Sequence, residues 1–172
     1  INPNYAEAYN NLATTLKEQG KTNQAIEFFK KAISLKPNYA EAYYNMGKIQ
    51  KEKNKFEDSI KFYNKAISLK SNYAEAYYNI AVILQEQGKL DVAIDYFDKA
   101  FLIKPNYEKA QAHKLYQKAK ICDWEDIRED RKIISKLGKS NNAIPPFTML
   151  SLEDEPNNHL LRSKLYAKKN LY

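Results

Sequence analysis

The sequence predicts an all-α protein, a solenoid built by stacking helical hairpins, and three observations carry that prediction. The heptapeptide Pro3-Asn4-Tyr5-Ala6-Glu7-Ala8-Tyr9 returns as Pro37-Asn38-Tyr39-Ala40-Glu41-Ala42-Tyr43 and again as Ser71-Asn72-Tyr73-Ala74-Glu75-Ala76-Tyr77. A fading fourth copy starts at Pro105-Asn106-Tyr107, so the period is 34 residues. Units of this length cannot bury their apolar faces alone and do so by stacking on their neighbours. Glycine (4) and proline (6) are scarce in 172 residues, which leaves long stretches open to helix. Within a unit the apolar residues follow i, i+3, i+4 spacing, as in Phe56, Ser59, Ile60, Tyr63, Ala66 and Ile67.

Each unit reads as two helices. The pairs Asn4/Glu7, Asn38/Glu41 and Asn72/Glu75 have capping-box spacing and predict the starts of the first helices, at about 1 kcal/mol per cap. The stripe of the second unit runs Tyr43, Met46, Gly47, with Gln50 where the other units have Leu16 and Leu84. Gly20, Asn54 and Gly88 close these helices, because Gly and Asn tolerate the left-handed backbone that a helix end needs. Small residues recur at Ala13, Gly47 and Ala81 and at Ala32, Ala66 and Ala100, where helix axes come close, while Tyr9, Tyr43 and Tyr77 fill the adjacent gap. Pro37 and Pro105 stop the second helices, with Ser71 in that place at the third boundary. Three repeats, 6–39, 40–73 and 74–107, thus occupy residues 1–107.

Residues 108–138 read as a degenerate fourth hairpin. Its first helix carries Ala112, Leu115 and Ala119 on one face, and Cys122-Asp123-Trp124 replaces the usual glycine turn. Asp123 caps a helix with Trp124, Ile127, Arg131, Ile134 and Leu137 at helical spacing, ending at Gly138. A terminal unit departs from the pattern because one side meets no further copy. Residues 139–172 hold a polar loop, an apolar strap stiffened by Pro145 and Pro146, and a helix with Leu160, Leu161, Leu165 and Tyr166. That last stripe predicts a domain beyond the C-terminus, and the pattern predicts further repeats ahead of Ile1.

The net charge of +7 is not spread as a track. Residues 6–39 carry 5 basic and 3 acidic groups, 40–73 carry 7 and 4, and 74–107 carry 3 and 5. The change of sign argues against a nucleic-acid partner, which wants a continuous basic stripe. One cysteine, Cys122, excludes an internal disulfide framework and suits a reducing compartment. No apolar run reaches membrane-span length and no signal peptide is visible, so the expected location is cytoplasmic.

The pattern Tyr9, Leu12-Ala13, Leu16, Ala25, Phe29, Ala32, Pro37 resembles the tetratricopeptide repeat, as does Tyr77, Ile80-Ala81, Leu84, Ala93, Phe97, Ala100, Pro105. The resemblance runs from residue 3 to 107 without a gap. It implies a right-handed superhelix whose concave face takes proteins or extended peptides. A second, looser resemblance follows it. Ile121-Cys122-Asp123-Trp124, the charged helix after it and the strap from Pro145 to Leu152 are similar to the junction of O-linked N-acetylglucosamine transferase-like proteins, in their bacterial form. That resemblance implies a catalytic domain, absent from this chain, that transfers a sugar to Ser or Thr. The chain itself holds no phosphate loop, so no cofactor and no catalysis are expected of it. The alternative is a non-enzymatic scaffold that assembles other proteins.

The candidate site is a ladder. Asn11, Asn45 and Asn79 lie one period apart in the first helices, where asparagine is unfavourable and needs a reason. A primary amide donates and accepts at once, so a row of them can hold a peptide backbone without reading its sequence. The resembling transferases use such a row to hold substrate chains. Tyr44 and Tyr78 neighbour it and are candidates for the same surface, packing between hairpins being the other reading. His113 breaks the ladder at the fourth register, and neither His113 nor His159 has partners at metal-site spacing. Glu18, Glu52 and Glu86 also recur, as a solvated face or as partners of nearby lysines.

Overall fold

The computed structural model describes residues 4–121, together with Ile134, Leu137 and Lys164. Among the described residues there are seven helices in order and no strand: α1 (Asn4–Glu18), α2 (Thr22–Leu35), α3 (Ala40–Glu52), α4 (Phe56–Leu69), α5 (Ala74–Glu86), α6 (Leu90–Ile103) and α7 (Glu108–Lys120). The all-α hairpin solenoid stands. The chain divides into two compact units, Ile1–Ile83 and Leu84–Tyr172.

In the first unit α1 packs on α2 and α3 on α4, and α2 packs on α3 to join the hairpins. The turns follow the sequence closely. Gly20 and Gly88 have φ of 77° and 74°, and Asn54 alone of the non-glycine residues described has positive φ, at 56°. Each begins the same double hydrogen bond. Gly20 N donates to Lys17 O (2.9 Å) and Lys21 N to Leu16 O (2.9 Å); Asn54 N donates to Lys51 O (2.9 Å) and Lys55 N to Gln50 O (2.9 Å). This is the Schellman closure, which satisfies carbonyls that a helix end leaves open.

The start of α3 differs from the expectation. α3 begins at Ala40 behind Tyr39, and no side chain caps it. Asn38 stands one residue too early, in the turn after Pro37, where Tyr39 N donates to Lys36 O (3.0 Å). The carbonyl of Tyr39 then takes Ala42 N at 3.1 Å. The carboxylates expected in the boxes have other partners: Glu7 pairs with Lys36 (3.3 Å) and Glu41 with Lys70 (3.5 Å). Those lysines also lie over the entry tyrosines, Lys36 over Tyr39 and Lys70 over Tyr73, each at 4.8 Å from the ring centre. At these boundaries a lysine thus lies between a carboxylate and an aromatic face.

The core of the first hairpin gathers Ala13, Ala25 and Phe29 with Met46 and Ile49 of α3 into one buried cluster, with Leu16, Ile26, Phe28, Ile33 and Phe62 against it. Tyr9 fills the neighbouring gap by stacking on Phe28 at 5.8 Å. In the second hairpin Tyr63 takes the place of Phe29 and is fully buried. Its ring lies so close to Gly47 that a Cβ there would meet Cε1 at 2.6 Å.

In the second unit α6 packs on α7. Lys114 bonds Asp98 at 2.6 Å, and the His113 ring stacks on Phe97 at 5.2 Å. Ala112 and Leu115 form a buried cluster with Ile134 and Leu137. Gln117 is fully buried with neither amide atom hydrogen-bonded. The Cys122-Asp123-Trp124 turn, the strap and the last helix lie outside the described residues.

Candidate peptide-binding face

The register of the repeat sets the site. Residues 10, 44 and 78 occupy one position of the first helices, and residues 11, 45 and 79 the next. Because helices α1, α3 and α5 recur by one period, a residue of one helix faces the neighbouring position of the helix before it. Asn45 Nδ2 donates to Asn10 Oδ1 at 3.2 Å, and Asn79 Nδ2 donates to Tyr44 Oη at 3.0 Å. Asn79 Nδ2 also donates to Glu75 O at 2.9 Å. The Glu75 carbonyl fixes the orientation of the amide, since a second carbonyl could not face it. Both amide hydrogens of Asn79 are therefore committed, and its Oδ1 points elsewhere. Tyr44 accepts from Asn79 and keeps its own proton to donate.

Of the residues singled out in the sequence, Asn45, Asn79, Tyr44 and Tyr78 are half-buried and Asn11 is exposed. The structure brings Tyr44 and Asn79 together. It does not bring Asn11 to any side-chain partner among the described residues, and it pairs Asn45 with Asn10 instead. Asn10, 7% exposed, is the member that sequence reading missed. Its signal was present, because it stands in the register of Tyr44 and Tyr78.

Tyr44 also has a packing role. Its ring lies 5.6 Å from that of Tyr63 and 4.8 Å from that of Tyr73, so the two readings of this residue coincide in one side chain. Burial holds the Tyr44 proton above the usual phenol range, with the Asn79 hydrogen bond working the other way and Glu75 adding to the rise. Burial alone pushes Tyr78 up to about 12. Both hydroxyls are thus neutral near pH 7 and able to donate. Lys48 lies over the Tyr44 ring at 5.9 Å and brings a cation to the same edge. Of the recurring glutamates, Glu52 pairs with Lys17 at 2.6 Å. His113 Nδ1 lies 3.1 Å from Gln85 Oε1, and no group of metal-binding side chains occurs among the described residues. Among those residues, no helix is long and apolar enough to cross a membrane.

Comparison with known proteins places the repeat. A TPR repeat model matches residues 13–53 and 47–88, and a tetratricopeptide repeat model matches residues 74–107. A crystal structure of MamA is 30% identical over 78% of this chain and 80% of that one, with a TM-score of 0.68. A second, of MamA protein, is 30% identical over 78% and 74%, with a TM-score of 0.67. YrrB, described as a TPR protein with an unusual peptide-binding site, shares the fold at 17% identity over 95% and 85%, with a TM-score of 0.67. No curated protein sequence matches the chain.

Proposed function

The chain belongs to the tetratricopeptide repeat family, and we propose that it binds other proteins as extended peptide segments along the face carrying Asn45, Asn79, Tyr44 and Tyr78, with Asn11 continuing the row. The observation that supports this most is the bond between Asn79 and Tyr44. It leaves an acceptor, Asn79 Oδ1, beside a donor, the Tyr44 hydroxyl. An extended backbone offers N–H and C=O groups at short intervals and needs both kinds of partner. The solved structure of YrrB, by its description, has a peptide-binding site on the same fold.

The test uses a fluorescently labelled, reduced and alkylated polypeptide and follows its anisotropy on titration with the protein. Tyr44→Phe keeps the ring and removes the donor, and is expected to weaken binding about five- to tenfold, the loss of one hydrogen bond. Asn79→Ala is expected to weaken it at least as much. Unchanged affinity in both variants, with thermal melting intact, removes this face from the function.

The finer reading is that the array is the substrate-holding arm of an O-linked N-acetylglucosamine transferase-like protein. It is supported by the order of the Cys122-Asp123-Trp124 turn, the charged helix and the proline strap in the sequence. The coding sequence after Tyr172 decides it. A nucleotide-sugar-binding domain there is the expected finding, and its absence leaves the scaffold reading.

A further inference from the structure

The amides and phenols of the candidate face can meet any extended main chain and are blind to its sequence. The next turn of the same helices is not. One turn along from residues 10, 44 and 78 stand Thr14, Lys48 and Val82. A step of four residues returns to the same side of a helix, so this register borders the same face. The three side chains differ in chemistry. Thr14 spends its hydroxyl proton on Asn10 O at 2.9 Å. Val82 is apolar and half-buried. Lys48 alone of the three carries a charge.

Lys48 is half-buried, and its ammonium lies 5.9 Å from the centre of the Tyr44 ring. It has no hydrogen bond or ion pair among the described residues. The acid best placed to pair with it is Glu52, one turn further along α3. Glu52 is instead taken by Lys17 of the preceding hairpin at 2.6 Å. Lys36 and Lys70 are likewise matched, with Glu7 and Glu41. Lys48 is thus a cation at the edge of the face whose donor hydrogens are unspent.

We propose that Lys48 selects the peptide: the segment held along this face carries an acidic side chain, Asp or Glu, that docks on Lys48 while its main chain meets Tyr44 and Asn79. The inference rests on the peptide-binding reading of the face and adds sequence selectivity to it. A hydrogen bond between two ionised groups is about twice as strong as a neutral one. Salt screens it less at a partly buried position than in open solvent. A lysine or arginine of the peptide at the same place meets repulsion, so the selection has an attractive and a repulsive half. The register confines it to the second repeat, since Thr14 and Val82 offer no charge one repeat to either side.

The test uses the labelled, reduced and alkylated polypeptide in two forms, one with its carboxyl groups intact and one with them converted to primary amides. Anisotropy is followed at low ionic strength, with variants whose thermal melting matches wild type. The wild-type chain is expected to bind the intact form about five- to tenfold more tightly. Lys48→Met keeps an unbranched stem and loses the charge, and is expected to bind the two forms alike. Lys48→Glu is expected to prefer the amidated form. Lys61→Met removes the same charge from α4, where Lys61 pairs with Asp58, and is expected to keep the wild-type ratio. A ratio that survives in Lys48→Met overturns the proposal. A ratio that falls as far in Lys61→Met also overturns it, since net charge then governs the preference. Tyr44→Phe separates the two readings, because it is expected to weaken both forms. Weakening by Tyr44→Phe with a ratio insensitive to Lys48→Met keeps the face and removes its selectivity. Binding insensitive to Tyr44→Phe, Asn79→Ala and Lys48→Met removes both.

Discussion

The first and second hairpins share one backbone plan and solve its tightest contact with different side chains. In the first, Ala13, Ala25 and Phe29 meet in a wholly apolar cluster, with Leu16 packed against it. In the second, the same four positions hold Gly47, Ser59, Tyr63 and Gln50. These departures depend on one another. The Tyr63 ring crowds the place where an Ala13-like methyl would stand, and glycine removes that methyl. The Ser59 hydroxyl donates to Gly47 O at 2.8 Å. That proton is thus directed at Gly47, and the buried Tyr63 hydroxyl is left without a hydrogen-bond partner although Ser59 lies beside it. Gln50 Oε1 is also buried without one. The lesson is that a repeat position is not conserved by residue type alone. The plan tolerates polar atoms inside a hairpin when neighbouring volumes change with them, at a cost in unsatisfied groups.

The most forceful way to break this comparison is to make the second hairpin look like the first at one position only. Gly47→Ala forces the buried Tyr63 ring to move and is expected to lower stability by roughly 1–2 kcal/mol, over-packing outweighing the gain in helix propensity. Chemical denaturation measures it, and an unchanged midpoint would show that the ring has room to shift. The reciprocal change, Ala13→Gly, is expected to destabilise by about 1 kcal/mol, through helix propensity and a small void. If both substitutions stabilise, the two packings are interchangeable and the coupling is wrong. Ser59→Ala removes the bond to Gly47 O and is expected to cost about 1 kcal/mol in the same assay.

The smallest effect at neutral pH belongs to Tyr63→Phe. It deletes a buried hydroxyl with no hydrogen bond, so stability is expected to hold or to rise by up to about 1 kcal/mol. Its signature is at high pH. Burial raises the Tyr63 pKa above its ordinary value of 10.0. In the unfolded chain the phenol ionises near pH 10 and in the folded chain it does not. Its contribution to stability is therefore complete below pH 10 and is lost as the pH rises beyond it. Tyr78, pushed up to about 12, adds to the same decline between pH 10 and 12. Wild type is expected to lose stability steeply in this range and Tyr63→Phe less steeply, as followed by circular dichroism. Parallel curves for the two proteins would show that Tyr63 does not hold its proton on folding.

Much of this was legible in the residues. Gly20, Asn54 and Gly88 marked the left-handed helix ends because few residues adopt that backbone easily, so the chemistry of the position is local. Ala112, Leu115, Ile134 and Leu137, each on an apolar stripe in the sequence, are buried in one cluster. The capping box of α3 failed for the opposite reason. Asn38 and Glu41 have the right spacing, but the carboxylate has a better-placed partner in Lys70, 29 residues away, which no local rule sees. The candidate site divides in the same way. Register alone aligned Asn45 and Asn79 and set Tyr44 beside them. Where each amide hydrogen goes depended on which side chain of the preceding hairpin came within 3.2 Å.

The sequence by itself determined the repeat, its period, the all-helical class and the ends of the first helices, because periodicity and backbone preference are properties of short stretches. Tertiary structure decided which polar groups meet: Asn79 with Tyr44, Glu41 with Lys70, Ser59 with Gly47. Those pairings compete with several alternatives of equal local merit. Only the distances set when α4 packs on α3 and α5 comes beside α3 choose among them.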